Sequence, residues 1–153
     1  MLRLTILCAI TSATLVDPVQ ADTTCTLNDN FCVPFVGCTQ DGQNFFTGRT
    51  FGRESGPLTA TGADGTACRG MWRRTFLGAG VAKFECSDGN TGRARYTYFE
   101  RSSGTALGRG RTKAGDRLTF LAGHNIGTYV LANNGLDKTL LSCVTRALSA
   151  KPG

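Results

Sequence analysis

Basic residues occupy alternate positions in two stretches of the second half of the chain. The stretches are Arg93-x-Arg95 and Arg109-x-Arg111-x-Lys113, and Arg117 follows them. Of the 17 basic residues, 13 are Arg, the side chain best suited to bidentate contact with carboxylate, phosphate or sulfate groups. In neighbouring strands, alternate residues share one face of the sheet. The spacing therefore predicts one anion-binding face formed by six cations, which are Arg93, Arg95, Arg109, Arg111, Lys113 and Arg117.

The alternative for these six residues is a solvated face whose long side chains spread apart, which is the usual role of charge runs. The formal net charge of +6 is compatible with both interpretations, because a charge of this size also keeps a protein soluble. The position of the charges in the fold has to decide between them.

The first 21 residues have the features of a secretory signal peptide. Arg3 precedes an uncharged apolar run from Leu4 to Val16, and Val19-Gln20-Ala21 is a small-x-small cleavage site. The apolar run is shorter than the roughly 20 residues that a membrane-spanning helix needs, which disfavours a retained anchor. We therefore expect export to the periplasm or the cell exterior, and the sequence leaves these two locations open.

Cysteine usage agrees with an oxidising compartment. The chain has seven cysteines, and Cys8 is expected to be removed with the signal peptide. An even number in an exported domain predicts three disulfides, with 15 possible pairings. The six that remain are Cys25, Cys32, Cys38, Cys68, Cys86 and Cys143. No paired CxxC spacing is present and the chain has one His, so we expect no zinc site, no other metal and no cofactor.

The partner expected for the basic residues follows from export. An acidic polymer, a lipid phosphate or an acidic protein surface suits an exported protein. Nucleic acid is disfavoured, because Tyr96 and Tyr98 are expected to point inward and could not stack on bases.

Catalysis is not indicated by any arrangement of residues. His124 lies in Ala122-Gly123-His124-Asn125 without a recognisable nucleophile or orienting carboxylate, and no Gly-x-Ser-x-Gly motif occurs. Paired carboxylates for glycoside hydrolysis could be drawn from Glu54, Glu85, Asp88 and Glu100, but nothing distinguishes them from surface acids. The sequence therefore predicts a non-enzymatic binding module.

A second candidate function is an exported enzyme inhibitor. If Cys32 and Cys38 form a disulfide, the segment Val33-Pro34-Phe35-Val36 becomes a constrained apolar loop that could enter a target cleft. The alternative is that Phe35 and Val36 pack in the core.

Two zones of the chain after the signal peptide must position these residues. Residues 22–44 hold three cysteines and several turn formers, which predicts an irregular, disulfide-linked N-terminal arm. Residues 45–153 are expected to form an antiparallel β domain of about 7–8 strands, either an open meander or a small barrel, in one structural domain with the arm. The regular strands are predicted at 67–76, 81–86, 91–100, 105–113, 117–122, 128–132 and 139–148, with a helix as the alternative over 136–148. One or two further short strands are expected around 45–51 and 58–61.

Three hairpins give the strand register. A hairpin centred on residue 77 places Cys68 opposite Cys86, with Gly70 and Trp72 opposite Phe84 and Ala82, and Arg69 opposite Glu85. A hairpin centred on residue 102 pairs Tyr98 with Ala106, Tyr96 with Gly108, Arg95 with Arg109, Ala94 with Gly110 and Arg93 with Arg111. A hairpin centred on residue 115 pairs Gly110 with Phe120, Thr112 with Leu118 and Lys113 with Arg117.

Overall fold

The structure is a computed structural model that describes residues 25, 31–100, 105–132 and 137–150, with the side chains of 97–100 left out. The predicted signal peptide, residues 1–21, lies outside the described residues. Eight strands precede two helices along the chain. The strands are β1 (Val33–Thr39), β2 (Phe45–Thr50), β3 (Ser55–Gly62), β4 (Ala67–Arg74), β5 (Gly80–Cys86), β6 (Thr91–Glu100), β7 (Thr105–Thr112) and β8 (Arg117–Ala122), and the helices are α1 (Ile126–Ala132) and α2 (Lys138–Ser149).

The eight strands form a closed antiparallel barrel in sequence order. Each strand pairs with the next, and β8 pairs with β1, for example Val36 with Leu121. Closure leaves no free sheet edge, which removes the usual site of strand-to-strand aggregation. The prediction of an all-β meander or small barrel is confirmed, and the barrel is the form the chain adopts.

Short turns with a repeated geometry connect four pairs of strands. In each, a backbone hydrogen bond between the two arms of the turn encloses three residues. The last of the three is a glycine with positive φ, a conformation that glycine adopts without steric cost. These glycines are Gly65, Gly78, Gly89 and Gly115. The turn residues of the sequence therefore mark the strand boundaries correctly.

The barrel interior combines large aromatic residues with small ones. Phe120 is central, with its ring centroid 6.2 Å from that of Phe35, 6.5 Å from Phe84 and 6.3 Å from Tyr96. Gly37 and Gly110 lie against the Phe120 ring, where a β-carbon would be closer than 3.0 Å. Such interdigitation of large and small residues produces a packed core.

A second core lies outside the barrel, between the two helices and the outer faces of β1 and β8. Val36, Cys38 and Leu121 project outward from the strands and are buried by residues of both helices. The helical residues are Ile126, Tyr129, Val130, Cys143, Val144 and Ala147. One side of the barrel is therefore covered, and the side formed by β4 to β7 is left to solvent.

The prediction of strands over 128–132 and 139–148 is wrong, because both segments belong to helices. Leu140, Cys143, Val144 and Ala147 have the i, i+3, i+4, i+7 spacing of a helical apolar face. Asp137 caps α2 by accepting a hydrogen bond from the Thr139 backbone N–H.

Three disulfides join the six cysteines. Cys68–Cys86 links neighbouring strands as predicted, and the others are Cys25–Cys32 and Cys38–Cys143. A Cys32–Cys38 disulfide is therefore wrong. The segment it would have constrained is strand β1, in which Phe35 and Val36 are buried. The barrel accordingly begins inside the predicted irregular arm, at Val33, and the proposed inhibitory loop does not exist.

Two of the predicted registers need correction. The β7–β8 hairpin is centred on residue 114, so Gly110 pairs with Leu118 and Arg111 pairs with Arg117. The reason is that Gly115 is the last residue of the loop and not its middle. In β6–β7, a register shift between Tyr96 and Tyr98 pairs Tyr98 with Leu107 instead of Ala106.

Candidate anion-binding face

Basic side chains form rows across the outer surface of strands β4 to β8. In one row Lys83 pairs with Arg93, Arg93 with Arg111, and Arg111 with Arg117. In the adjacent row Arg95 pairs with Arg109. We call the nine exposed cations of this surface the cationic face, and they are Arg69, Arg73, Lys83, Arg93, Arg95, Arg109, Arg111, Lys113 and Arg117.

The period of two along each strand places these residues outside. Ala94 lies between Arg93 and Arg95 in β6 and is buried in the barrel, where Gly110 of β7 is its partner. Because the inward residues are small or apolar and cannot exchange places with arginine, the register that fills the core also sets the rows of cations.

The rows bring like charges close together. Directly opposite residues have β-carbons about 4.5–5.5 Å apart, and like charges in such pairs destabilise a sheet. Glu85, opposite Arg69, is the carboxylate that lies among the nine cations. Among the residues the structure describes, none of the nine forms an ion pair or a side-chain hydrogen bond. The ion pair that is seen joins Arg74 and Glu54 at 3.5 Å, at one end of the barrel.

Carboxylates near the edge of this face accept hydrogen bonds within turns. Asp88 accepts a hydrogen bond from the Asn90 backbone N–H at 2.9 Å, and Asp116 accepts one from the Thr112 hydroxyl at 2.8 Å. Asp41 and Asp64 have the same role in other turns, where hydrogen bonds from Thr39 and Thr66 hold the pKa of each carboxyl below its usual value. These acids organise loops and do not neutralise the cationic face, where Glu85 remains as one carboxylate among nine cations.

Two shallow grooves run between the long side chains of the face. One, of about 870 Å³, is lined by Arg69, Lys83, Arg93 and Arg111 with Lys113. The other, of about 800 Å³, is lined by Arg73, Arg93, Arg95, Arg109 and Arg111 with Lys83. Both grooves are open to solvent, so they suit an extended ligand that lies along the surface.

All six predicted residues lie on this face, and the pairs Arg93–Arg111 and Arg95–Arg109 match the predicted register. The pairing of Lys113 with Arg117 is wrong for the reason given above, although Lys113 lines the first groove. Sequence reasoning missed Arg69, Arg73 and Lys83. Arg69 and Arg73 follow the same alternation in β4, and Lys83 joins the row through the pairing of β5 with β6.

The residues considered for catalysis lie in loops and on the outer surface of the barrel. His124 is exposed in the turn that follows β8. Glu54 lies in the β2–β3 loop, Glu85 near the end of β5 on its outer face, and Asp88 in the turn that follows β5; the side chain of Glu100 lies outside the described set. Within the described ranges, no group of three His, Cys, Asp or Glu residues could hold a metal ion.

Neither a protein-family model nor a curated protein matches this chain. Among solved structures, the chain is similar to a redesigned β barrel, mFAP0, bound to DFHBI, with a TM-score of 0.49 and 13% identity over 61% of this chain and 95% of the other. A second match is a de novo designed fluorescence-activating β barrel, with a TM-score of 0.47 and 13% identity over 60% of this chain and 89% of the other. Similarity at this level carries no information about ligands.

A separate observation concerns the helices. Neither α1 nor α2, the two helices in the described part of the chain, has the length and apolar character needed to span a membrane.

Proposed function

We propose that this protein is an exported, non-enzymatic binding module whose cationic face holds a polyanion. The observation that carries the proposal is the row Lys83–Arg93–Arg111–Arg117, four cations paired in register on four neighbouring strands. Because like charges directly opposite each other destabilise a sheet, a ligand that supplies negative charge should stabilise this row of cations.

The spacing of the cations favours an extended anion over a small one. Neighbouring strands lie about 4.8 Å apart, and successive outward residues of one strand lie about 7 Å apart. A single phosphate or carboxylate could contact two or three of the nine side chains, whereas a polymer with regularly spaced sulfate, phosphate or carboxylate groups could contact most of them. Arginine makes bidentate contacts with each of these groups.

The face offers little for nucleic-acid bases. Tyr96 lies on the inner side of β6, and burial of its hydroxyl raises the pKa well above the usual value for tyrosine. Met71 is the exposed large apolar residue within the described part of this surface. An acidic polysaccharide or polyphosphate, bound through its charges alone, fits this surface better than a ligand that requires base stacking.

Export is supported by the disulfides and by the sequence of residues 1–21. Disulfides persist in oxidising compartments, and Cys38–Cys143 lies in the core between the barrel and α2. The same compartments contain acidic polymers at cell surfaces, where a cationic face of this kind would be accessible.

Retention of the chain 22–153 on immobilised heparin, measured against salt concentration, tests the proposal. We expect the variant R93Q/R109Q/R111Q to elute at lower salt, because three contacts are lost. By analogy with the counterion release seen for single-stranded nucleic acids, the plot of log affinity against log salt should become less steep, its negative slope decreasing in magnitude by about two.

The matched control is R53Q/R74Q/K138Q, which removes the same charge away from the cationic face and should keep the wild-type slope. Equal loss in both variants would mean that net charge alone attracts heparin. Wild-type binding without salt dependence would also overturn the proposal.

A further inference from the structure

A pocket opens at the end of the barrel where β1, β3, β5 and β7 begin. Its volume is about 730 Å³, within the roughly 300–1,000 Å³ typical of small-molecule sites. Trp72 and Tyr96, both partly buried against the barrel core, line its inner part, and Phe31 and Leu77 line its rim. The mouth pocket, as we call it, is separate from the first groove of the cationic face and shares only Trp72 and Arg95 with the second.

The inner wall of the mouth pocket is apolar and held in place. The Trp72 indole Nε1 donates a hydrogen bond to the Phe51 carbonyl oxygen at 2.6 Å, so its polar atom is already satisfied. Only a cavity of about 30 Å³ remains inside the barrel, room for about one water molecule. A ligand would therefore lie on Trp72 and Tyr96 at the mouth and could not enter the core.

The rim of the mouth pocket exposes large apolar side chains. Leu77 is 83% exposed and Phe31 is 54% exposed. Phe31 also has a φ of 57°, a left-handed conformation that is unusual for a bulky residue and of a kind that clusters at functional sites. Exposed apolar groups clustered at a pocket are a common sign of a ligand-binding surface.

Arginines surround these apolar groups. The Arg53 guanidinium lies 4.4 Å from the centroid of the Phe31 ring, and Arg74 and Arg95 also line the pocket. Glu54 is 3.5 Å from Arg74, but both side chains are more than half exposed, so water and salt screen this pair. The pocket therefore combines an aromatic surface with an excess of positive charge.

We propose that the mouth pocket binds a small amphipathic anion, a molecule with an aromatic or aliphatic body and one acidic group. The body packs on Trp72, Tyr96 and Leu77, and the carboxylate, phosphate or sulfonate group bonds to Arg53 and Arg74. This site is independent of the polyanion proposed for the cationic face, since its acidic group bonds to Arg53 and Arg74, which lie outside that face, and its ligand belongs to a different class. Arg95 lines both surfaces.

Two probes with the same aromatic body test the proposal. These are 8-anilinonaphthalene-1-sulfonate, which is anionic, and N-phenyl-1-naphthylamine, which is uncharged. Trp72 is the single tryptophan of the chain, so its fluorescence reports occupancy of the pocket. We expect one sulfonate probe per protein to quench Trp72, and we expect the uncharged probe to bind at least tenfold more weakly.

Variants locate the bound probe. R53Q/R74Q should weaken the sulfonate probe at least tenfold and leave the uncharged probe within twofold. L77D should weaken both. Phe76 is fully exposed beside Leu77 but does not line the pocket, so F76D is the matched control and should leave both affinities within twofold.

Three results would overturn the proposal: equal binding of the two probes, binding that L77D does not change, or equal loss in F76D and L77D. The last would mean that the probe contacts the exposed tip of the turn and not the pocket. R93Q/R109Q/R111Q separates the two sites, because it should release heparin and retain the sulfonate probe. Loss of the probe in this variant would contradict independent sites.

Discussion

Individual arginines of the barrel are expected to have opposite effects on its stability, according to the residue across the strand. Arg69 faces Glu85, a favourable cross-strand pair, whereas Arg93 faces Lys83 on one side and Arg111 on the other. Both are exposed and both lie on outer positions of the barrel, so they differ mainly in the charge of their partners. Single substitutions at these positions can therefore measure how much each cation of the face changes the free energy of unfolding.

We expect R93Q to raise the free energy of unfolding at low salt by about 0.2–1 kcal/mol and R69Q to lower it by a similar amount. At 1 M salt, where the Debye length is about 3 Å, both differences should shrink. Urea unfolding at the two salt concentrations measures them. If R93Q destabilises the protein at low salt, the cationic side chains already lie too far apart to repel one another. The main argument for a bound polyanion would then be lost.

Strands and helices of this chain depend on glycine in different ways. In β4, a β-carbon on Gly70 would overlap the backbone carbonyl oxygen of Lys83 and would lie 2.8 Å from the α-carbon of Phe84. In α1, a β-carbon on Gly127 would meet only Leu148, at an ordinary contact distance of 3.8 Å. The first glycine permits close approach of two strands, and the second weakens a helix without such a role.

We therefore expect G70A to lower the melting temperature strongly, because backbone atoms of β5 cannot move aside without opening the ladder. G127A should instead stabilise the protein by up to about 0.5 kcal/mol, the low end of the advantage of alanine over glycine inside a helix, because Gly127 lies in the first turn of α1. Thermal unfolding followed by circular dichroism gives both values. A stabilising G70A or a destabilising G127A would contradict the packing described for these elements.

At the scale of the whole molecule, one disulfide ties the helices to the barrel. Cys38 of β1 and Cys143 of α2 are 105 residues apart in sequence, and both are buried. Cys25–Cys32, in contrast, spans seven residues near the N-terminus. Longer closed loops restrict the unfolded chain more, so the two bonds should contribute unequally to stability.

The variant C38A/C143A should lose about 4.7 kcal/mol of stability, the chain-entropy value for a loop of about 100 residues, while C25A/C32A should lose about half as much, roughly 2.4 kcal/mol. Alanine is chosen because both positions in the first pair lie in an apolar core. Urea unfolding of each double variant tests the order. Equal losses would show that Cys38–Cys143 does not act mainly on the unfolded chain.

The sequence by itself determined what depends on near neighbours. Strand positions from β3 to β8 follow from alternation and from turn glycines, and Cys68–Cys86 and the pairs Arg93–Arg111 and Arg95–Arg109 follow from hairpins whose strands are adjacent in sequence. In β7–β8 the predicted hairpin is centred on the wrong loop residue, which moves each cross-strand partner by two positions. Because side chains alternate between the two faces, a shift of two residues leaves each side chain on its correct face.

Only the tertiary structure decided what depends on distant residues. Closure of β1 against β8, the Cys38–Cys143 bond and the packing of α1 and α2 on one side join segments separated by most of the chain. Local propensity cannot select such contacts, since their stability comes from apolar area buried in the assembled fold. The mouth pocket belongs to this class. The pairing of β5 with β6, which adds Lys83 to the arginines, does not, because these strands form a local hairpin that the sequence already contains.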